Sequence, residues 1–543
     1  MTFQSSFTHQ KSKTMKRILS YYFCLIVLNV LTLAKEGASF TLPELSISRA
    51  KSHINTLASD EMRGRNTPSP ELEKSAEYIA SEFKSIGLLP INGSYFHTYT
   101  LERLHLDKPT SLIIRKGSMI DEMQLKDDFV PFEYSGSTIV ESAQLVFVGF
   151  GITAPEYNYD DYKNLDVKGK VVVLLRGEPQ MDNENSIFDG KKFTKYSRMP
   201  SKMKTAFAKG AIGIIVINPP STTLKIRPTA FPWPSLYPHV PADALPLSRK
   251  NADMPNIPVV SAGERFVQLA FGSVDTLKAW QKNIDSLMIQ QSKVLPSLEI
   301  LQYQTTLRTE KVEVRNVMGM IKGTELPDEY LVIGAHYDHV GFSKPNDATK
   351  DSIYNGADDN ASGTTGMLIS AEALANAPAK PKRSIVFVAF SGEEKGLLGS
   401  KAFVDTPPLP ISKCVAMLNM DMIGRSINDT LYIGGNTRCK ELANLNAELN
   451  LSLFQSDTMH LAYTIEQYFF RSDQASFAMK RIPVLFYYTG EHEDYHKVSD
   501  EIGKLQMDRL VKIATLCSHT AWATADLPMK LPFTPLPGDD LSE

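Results

Sequence analysis

The sequence is poor in cysteine, has no block of basic residues and contains a single strongly apolar stretch. Its 543 residues include four cysteines, and because Cys24 falls in the apolar stretch, an odd three remain. Three cysteines do not make a disulfide framework, and their spacing matches no CxxC zinc site. We predict buried free thiols, with Cys414 and Cys439 as the only pair worth considering. The net charge is −3 with Lys and Arg dispersed, which argues against a nucleic-acid-binding face.

The apolar stretch lies near the N-terminus. Two basic residues precede the run from Ile18 to Leu33, and the small residue Ala34 follows. This order is typical of a secretory signal peptide, and the run is shorter than the roughly 20 apolar residues of a membrane span. We predict a signal peptide over 1–34, with Met15 as a candidate start, and a periplasmic or secreted protein without a stable membrane span. An uncleaved signal anchor is the alternative.

The rest of the chain changes texture twice. Residues 46–88 have helical periodicity, whereas from about Leu106 short β-like runs alternate with Gly and Pro. From about Leu307, apolar strands alternate with helices, which indicates an α/β domain with a largely parallel sheet flanked by helices. We therefore predict one domain over 41–105 and 306–530, with a β-rich insert over 106–305.

Five clusters of acidic residues and histidines follow predicted strands of this domain. Ligands gather at the carboxyl ends of strands in open α/β sheets, so residues far apart in sequence can meet there. The clusters are Gly334-Ala335-His336-Tyr337-Asp338-His339, Asn355-Gly356-Ala357-Asp358-Asp359-Asn360-Ala361-Ser362-Gly363, Ser391-Gly392-Glu393-Glu394, Asn419-Met420-Asp421-Met422 and Glu491-His492-Glu493-Asp494-Tyr495-His496.

Each cluster has its own chemical interpretation. Asp338 can accept the second ring N–H of a metal-bound His336, while His339 is predicted to be a packing or loop residue. The adjacent Asp358 and Asp359 either neutralise a cation or occupy a solvated helix N-terminus, where acidic residues are favoured. Asp421 ends an apolar strand, where a buried carboxylate needs a partner or a metal.

Together the clusters offer two histidines and three carboxylates, one for each strand end. Zinc binds N and O ligands, and two catalytic ions about 3.5–4 Å apart need a shared carboxylate. The combination therefore predicts a site for two Zn²⁺ ions per chain, although each cluster alone is only moderate evidence.

The series HxD, GADDNASG, SGEE, NxDM and a late histidine resembles the co-catalytic zinc aminopeptidase family, whose relatives include glutamate carboxypeptidases and transferrin receptors. The resemblance covers about 43–105 and 306–525. The segment between, with its Gly149-Phe150-Gly151 turn and the run GKVVVLLRG, resembles an inserted protease-associated domain. In place of the family's Ser-Asp-His, the chain has Ser472-Asp473-Gln474.

The resemblance implies a role for each candidate residue. His336 and Asp421 would bind the first zinc, Glu394 and His496 the second, and Asp358 would bridge both. Glu393 would be the general base, and Asp338 would orient His336. The resemblance also implies a cis peptide bond after the bridging aspartate, between Asp358 and Asp359.

The implied activity is that of a metallo-exopeptidase that removes N-terminal residues from peptides, with a zinc-bridged hydroxide as nucleophile. The alternatives are a carboxypeptidase or dipeptidase, a single-zinc glutaminyl cyclase-like transferase, and a non-enzymatic receptor-like protein. The full ligand set and the large insert favour the peptidase. The expected partners are peptide substrates, and the sequence does not reveal the oligomeric state.

Overall fold

The computed structural model describes residues 42–190, 193–220, 226–238, 240, 244–248, 254–343, 351–426, 429–536 and 539. They divide into two compact units, of which the second is Thr98–Val314 and the first contains the residues before and after it. The predicted insert boundaries, 106 and 305, lie inside the second unit. The predicted signal peptide and Cys24 lie outside the described residues. Among the helices that are described, none has the length and apolarity of a membrane span.

A mixed sheet forms the centre of the first unit. Its strands, in spatial order, are Leu307–Ile321, which enters the unit at Arg315, Arg383–Phe390, Leu326–His336, Cys414–Met420, Val484–Tyr488, Thr430–Gly434 and His460–Ala462. The four strands from Arg383–Phe390 to Val484–Tyr488 are parallel, and antiparallel neighbours flank them. They are buried along most of their length, because helices cover both faces of a parallel sheet.

The helices of the first unit are Ile47–Leu57, Pro70–Ser85, Gly363–Ala375, Leu398–Asp405, Lys440–Phe454, Gln474–Ala478 and Met507–Asp526. The predicted helical segment 46–88 is two helices. Between them lies a 3₁₀ segment, Asp60–Arg65, with positive φ at Arg63 and Gly64. Ser69 then caps the second helix by accepting a hydrogen bond from the Leu72 N–H. Cys414, Cys439 and Cys517 are buried and unbridged.

The described residues of the second unit form an eight-stranded sheet and three α-helices. The strands, in spatial order, are Met119–Glu122, Ser111–Lys116, Lys293–Thr305, Thr138–Phe147, Val171–Leu175, Gly213–Ile217, Val259–Ala262 and Phe129–Pro131. Alternate residues of Val171–Leu175 and Gly213–Ile217 enter two separate apolar clusters, one on each face. The helices are Met199–Ala208, Glu264–Phe271 and Val274–Leu287. Short two-residue strands lie at Thr153–Ala154, Tyr159–Asp160 and Leu247–Ser248, and the last of these pairs antiparallel with Phe96–Leu106, a strand that belongs to this unit from Thr98 onward.

Candidate metal centre

The loops after the four parallel strands bring acidic residues and histidines together. Two groups have ligand atoms that all lie within 4.8 Å of one another, and Asp359 belongs to both. The groups are His336, Asp359 and Asp421, and His339, Asp359, Glu394 and His496. The carboxyl edge of the parallel sheet therefore holds a constellation that can accept two cations.

The first group is centred on the Nε2 atom of His336. This atom lies 3.3 Å from Asp359 Oδ1 and 3.3 Å from Asp421 Oδ1. Tetrahedral zinc with bonds of about 2.1 Å separates its ligand atoms by roughly 3.4 Å. On the other side of the ring, Nδ1 lies 3.1 Å from the backbone oxygen of Asp338, a contact that can fix the tautomer of a ligating imidazole.

The second group is centred on the Nε2 atom of His496. It lies 3.1 Å from Asp359 Oδ2 and 3.1 Å from Glu394 Oε2. The two oxygens of Asp359 thus face different histidines, so this carboxylate is placed to bridge two cations.

The structure corrects the assignment of the bridging aspartate from Asp358 to Asp359. The Asp358 carboxylate turns away from both groups, accepting a hydrogen bond from the Gly424 N–H at 2.7 Å and lying 3.2 Å from His492 Nε2. Neighbouring side chains in this turn point in different directions, so only one aspartate can face the sheet edge. The cis peptide bond correspondingly joins Asp359 and Asn360 rather than Asp358 and Asp359.

Asp500 holds the turn that presents Asp359. Its carboxylate accepts hydrogen bonds from the backbone N–H groups of Asp358 and Asp359 at 3.1 Å. Its backbone oxygen accepts a further bond from Ala357. The bridging carboxylate is therefore positioned through its own backbone.

Several buried atoms of the two groups have no hydrogen-bond partner among the described residues, as expected for atoms that bind a cation. They are Asp359 Oδ2, Asp421 Oδ1 and His496 Nε2. A buried polar atom without a partner costs about 1–3 kcal/mol, and more if charged. His496 Nε2 approaches two carboxylates without hydrogen-bond geometry to either. The donor set, nitrogen and carboxylate oxygen, suits zinc, so the residues fit a pair of zinc ions.

Glu393 lies beside the first group without belonging to it. Its Oε2 is 4.0 Å from His336 Nε2, and its backbone N–H donates to Asp338 Oδ1 at 3.1 Å. The other oxygen of Asp338 accepts from the Thr67 hydroxyl at 3.0 Å. Asp338 therefore ties the His336 strand end to the Glu393 loop, while the Glu393 carboxylate stays outside both ligand groups.

The buried guanidinium of Arg65 supports the same strand ends from behind. It donates to the backbone oxygens of Tyr337, Asn355 and Gly356 at 2.8–3.0 Å, and also to that of Leu57. No local pattern in the sequence marks Arg65 or Thr67 as part of the site. Both precede the HxD motif by more than 250 residues, so only the folded chain reveals their role.

Without a cation, the charges of the site oppose one another. Burial would lower the pKa of His336, but the carboxylates of Asp421 and Glu393 raise it well above its ordinary value. Burial raises the pKa of Glu393 well above its ordinary value; His336 opposes this, and the nearby carboxylates of Glu394 and Asp421 add to it. Such a concentration of perturbed groups in one cleft is typical of functional sites.

A small pocket opens beside these residues. It has a volume of about 40 Å³. Its lining is Asp359, Glu393, Asp421, Met422, Tyr468, Arg471, Ser472, Phe486, Tyr488, Glu491 and Tyr495. The ring of Tyr495 stacks on that of His496, with centroids 3.9 Å apart.

Comparisons with known proteins define the class of both units. Residues 316–521 match the model of Peptidase family M28, and residues 141–269 match that of the PA domain. The chain thus combines an M28 peptidase domain with a PA domain, which confirms the resemblance predicted from the motifs and the α/β fold class.

The alignments with individual curated proteins each cover only part of the chain. The chain is 42% identical over 115 residues to a probable zinc metalloprotease of Pyrenophora teres f. teres, an alignment that spans 21% of this chain and 24% of the relative. It is 27% identical over 282 residues to aminopeptidase YwaD of Bacillus subtilis, spanning 51% of this chain and 45% of the relative.

Among solved structures, an aminopeptidase from Aneurinibacillus sp. strain AM-1 is similar with a TM-score of 0.54 and 20% identity. The similarity covers 91% of this chain and 97% of that one. At this level of identity, the likeness bears on the fold alone.

Proposed function

We propose that this protein is a zinc-dependent aminopeptidase that binds two zinc ions and removes N-terminal residues from peptides. The observation that carries the proposal is the Asp359 carboxylate, whose two oxygens face His336 and His496 at 3.3 and 3.1 Å. His336, Asp359 and Asp421 would hold the first zinc, and Asp359, Glu394 and His496 the second. The M28 match and the names of the relatives support the same class of activity.

Bound zinc supplies Lewis acidity, which polarises a carbonyl group and makes water acidic near neutral pH. The remaining chemistry falls to side chains of the pocket. Glu393 accepts a proton from the attacking water and transfers it to the leaving amine, as a general base and then a general acid. Asp338 holds this glutamate through the Glu393 N–H.

Tyr495 lines the same pocket, and its ring stacks on that of His496 with centroids 3.9 Å apart. Its phenolic O–H is a hydrogen-bond donor, which would stabilise the substrate oxygen as that oxygen becomes negative.

The charges of the pocket lining favour an amino terminus. The lining includes four carboxylates, those of Asp359, Glu393, Asp421 and Glu491, and one guanidinium, that of Arg471, which lies 3.1 Å from Glu491. This excess of carboxylates favours a free ammonium group over a carboxylate and supports an aminopeptidase rather than a carboxypeptidase.

The test compares one dipeptide in three forms: free, N-acetylated and C-amidated. We expect hydrolysis of the free and amidated forms, no hydrolysis of the acetylated form, and loss of turnover with a chelator that zinc restores. Turnover of the acetylated peptide would contradict aminopeptidase action. Binding of one zinc per chain, together with cyclisation of N-terminal glutamine, would instead establish a glutaminyl cyclase-like transferase.

We propose in addition that the chain is exported to the periplasm or medium. The support is the basic, apolar and small-residue order of the first 34 residues. N-terminal sequencing of protein recovered from the periplasm and medium, compared with the cytoplasm, tests this. Export predicts a new N-terminus close to residue 35.

A further inference from the structure

His339 is a histidine of the second ligand group for which the motif-based assignment has no role. It was predicted to be a packing or loop residue, but its side chain is fully buried and its Nδ1 lies 2.9 Å from Glu394 Oε1. The same atom is 3.7 Å from Asp359 Oδ2. The imidazole is therefore in contact with the ligands of the proposed second zinc.

The backbone around His339 imposes the orientation of its ring. The His339 N–H donates to the backbone oxygen of Arg65, which is itself held by the buried guanidinium network. On the other side, Gly356 lets the ring approach closely, because a Cβ at that position would lie 2.5 Å from the ring carbons. The Nδ1 atom is thus aimed at Glu394 by the fold.

Two roles are compatible with this position: a further zinc ligand, or a hydrogen-bond donor to Glu394. A ligating imidazole usually donates its other N–H to an acceptor, as His336 can to the backbone of Asp338. In His339 the other nitrogen, Nε2, is buried and has no partner among the described residues. As a ligand through Nδ1, His339 would bury an unpaired N–H.

The contact with Glu394 also differs from those of the ligand pairs. Nδ1 and Oε1 have hydrogen-bond geometry, whereas His496 Nε2, 3.1 Å from Glu394 Oε2, does not. The two oxygens of Glu394 are therefore used differently, Oε1 towards His339 and Oε2 towards His496.

We propose that His339 is a positioning residue for the second zinc, its Nδ1–H donating to Glu394 Oε1 so that Oε2 is presented to the cation. This inference rests on the proposed function for the identity of the metal. It concerns binding rather than turnover, so zinc affinity tests it even if the protein hydrolyses no peptide. An absence of zinc binding by the unaltered protein would overturn both proposals.

The decisive comparison is between His339→Leu and His339→Asn in the full chain. Leucine fills similar space without a donor, whereas the asparagine amide can place an N–H close to the position of Nδ1. The two zinc affinities are measured by competition with a chromogenic chelator. We expect His339→Leu to weaken the second zinc by about 10–100-fold and leave the first nearly unchanged, and His339→Asn to restore most of the loss. The control is His519→Asn, on the helix Met507–Asp526, which should change neither affinity.

Equal loss in both variants would indicate that His339 is a ligand and overturn the proposal. Unchanged zinc affinity of His339→Leu, together with a lowered thermal stability, would indicate that His339 serves only in packing and would also overturn the proposal. A second measurement needs no variant. In the Co²⁺-substituted protein, proton NMR should show two exchangeable imidazole N–H signals with the large contact shifts of metal-bound rings, from His336 and His496, whereas the His339 N–H, which is not bonded to the metal, should show only a smaller dipolar shift. A third signal with a large contact shift would contradict the proposal independently of how any variant folds.

Discussion

The paired substitutions Asp359→Asn and Asp358→Asn test the geometry of the site most directly. The two residues are adjacent, equally acidic and both buried, so the same substitution at each is a matched comparison. Asp359 has one oxygen 3.3 Å from His336 Nε2 and the other 3.1 Å from His496 Nε2. Asp358 instead meets Gly424 N–H and His492.

The expected size of the effect follows from the number of ligands. A four-ligand zinc site contributes about 10–16 kcal/mol, or roughly 3 kcal/mol for each ligand. At about 1.4 kcal/mol per tenfold change, loss of the shared charged ligand should weaken each zinc by about 100-fold. Asp358→Asn keeps an acceptor oxygen for Gly424, so we expect less than about a tenfold change in either affinity.

The assay is zinc content after dialysis against buffers of known free zinc, followed by competition titration. Circular dichroism and thermal unfolding check that both variants are folded. Retention of both zinc ions in Asp359→Asn, with loss in Asp358→Asn, would refute the reasoning and restore the assignment made from sequence.

Two further predictions concern catalysis and pH. Glu393→Gln should keep both zinc ions but lower peptide hydrolysis by at least about 100-fold, the lower end of what a general base contributes; activity within tenfold of the unaltered protein would contradict the assignment. Burial lowers the pKa of His53 to about 4 from an ordinary value of 6.5. Between these two pH values His53 is protonated in the unfolded chain but not in the folded protein, so the free energy of unfolding decreases as the pH drops from 6.5 to 4. His53→Gln should remove up to about 3 kcal/mol of that fall in urea titrations, whereas an unchanged pH dependence would show that His53 is not its source.

Much of the fold could be predicted because apolar runs and helical periodicity are strong along this chain. Within the parallel strands Leu326–His336 and Arg383–Phe390, residues 330–335 and 385–390 are buried and nearly all apolar, as expected for strands covered on both faces. The break in the predicted helix at 46–88 was missed, because a 3₁₀ segment with positive φ at Arg63 has no clear composition signal.

The sequence predicted correctly those site residues whose side-chain direction is set by the end of a strand. His336 and Asp421 follow directly from the ends of buried strands and meet as ligand atoms in one group. The choice between Asp358 and Asp359 could not be made in this way, because both lie in a turn whose orientation depends on Asp500, some 140 residues later. The contact of His339 with Glu394 could not be predicted for a similar reason: it depends on the close approach of the His339 ring to Gly356.

The position of Arg65 has a practical consequence for dissecting the molecule. The M28 match begins at residue 316, yet the arginine that anchors Tyr337, Asn355 and Gly356 comes from the opposite end of the chain. A fragment limited to residues 316–521 would contain every proposed zinc ligand and still leave those three carbonyl groups without their common donor. A test of the site therefore needs the N-terminal helices as well, because Arg65 donates the hydrogen bonds that hold the loops carrying the zinc ligands.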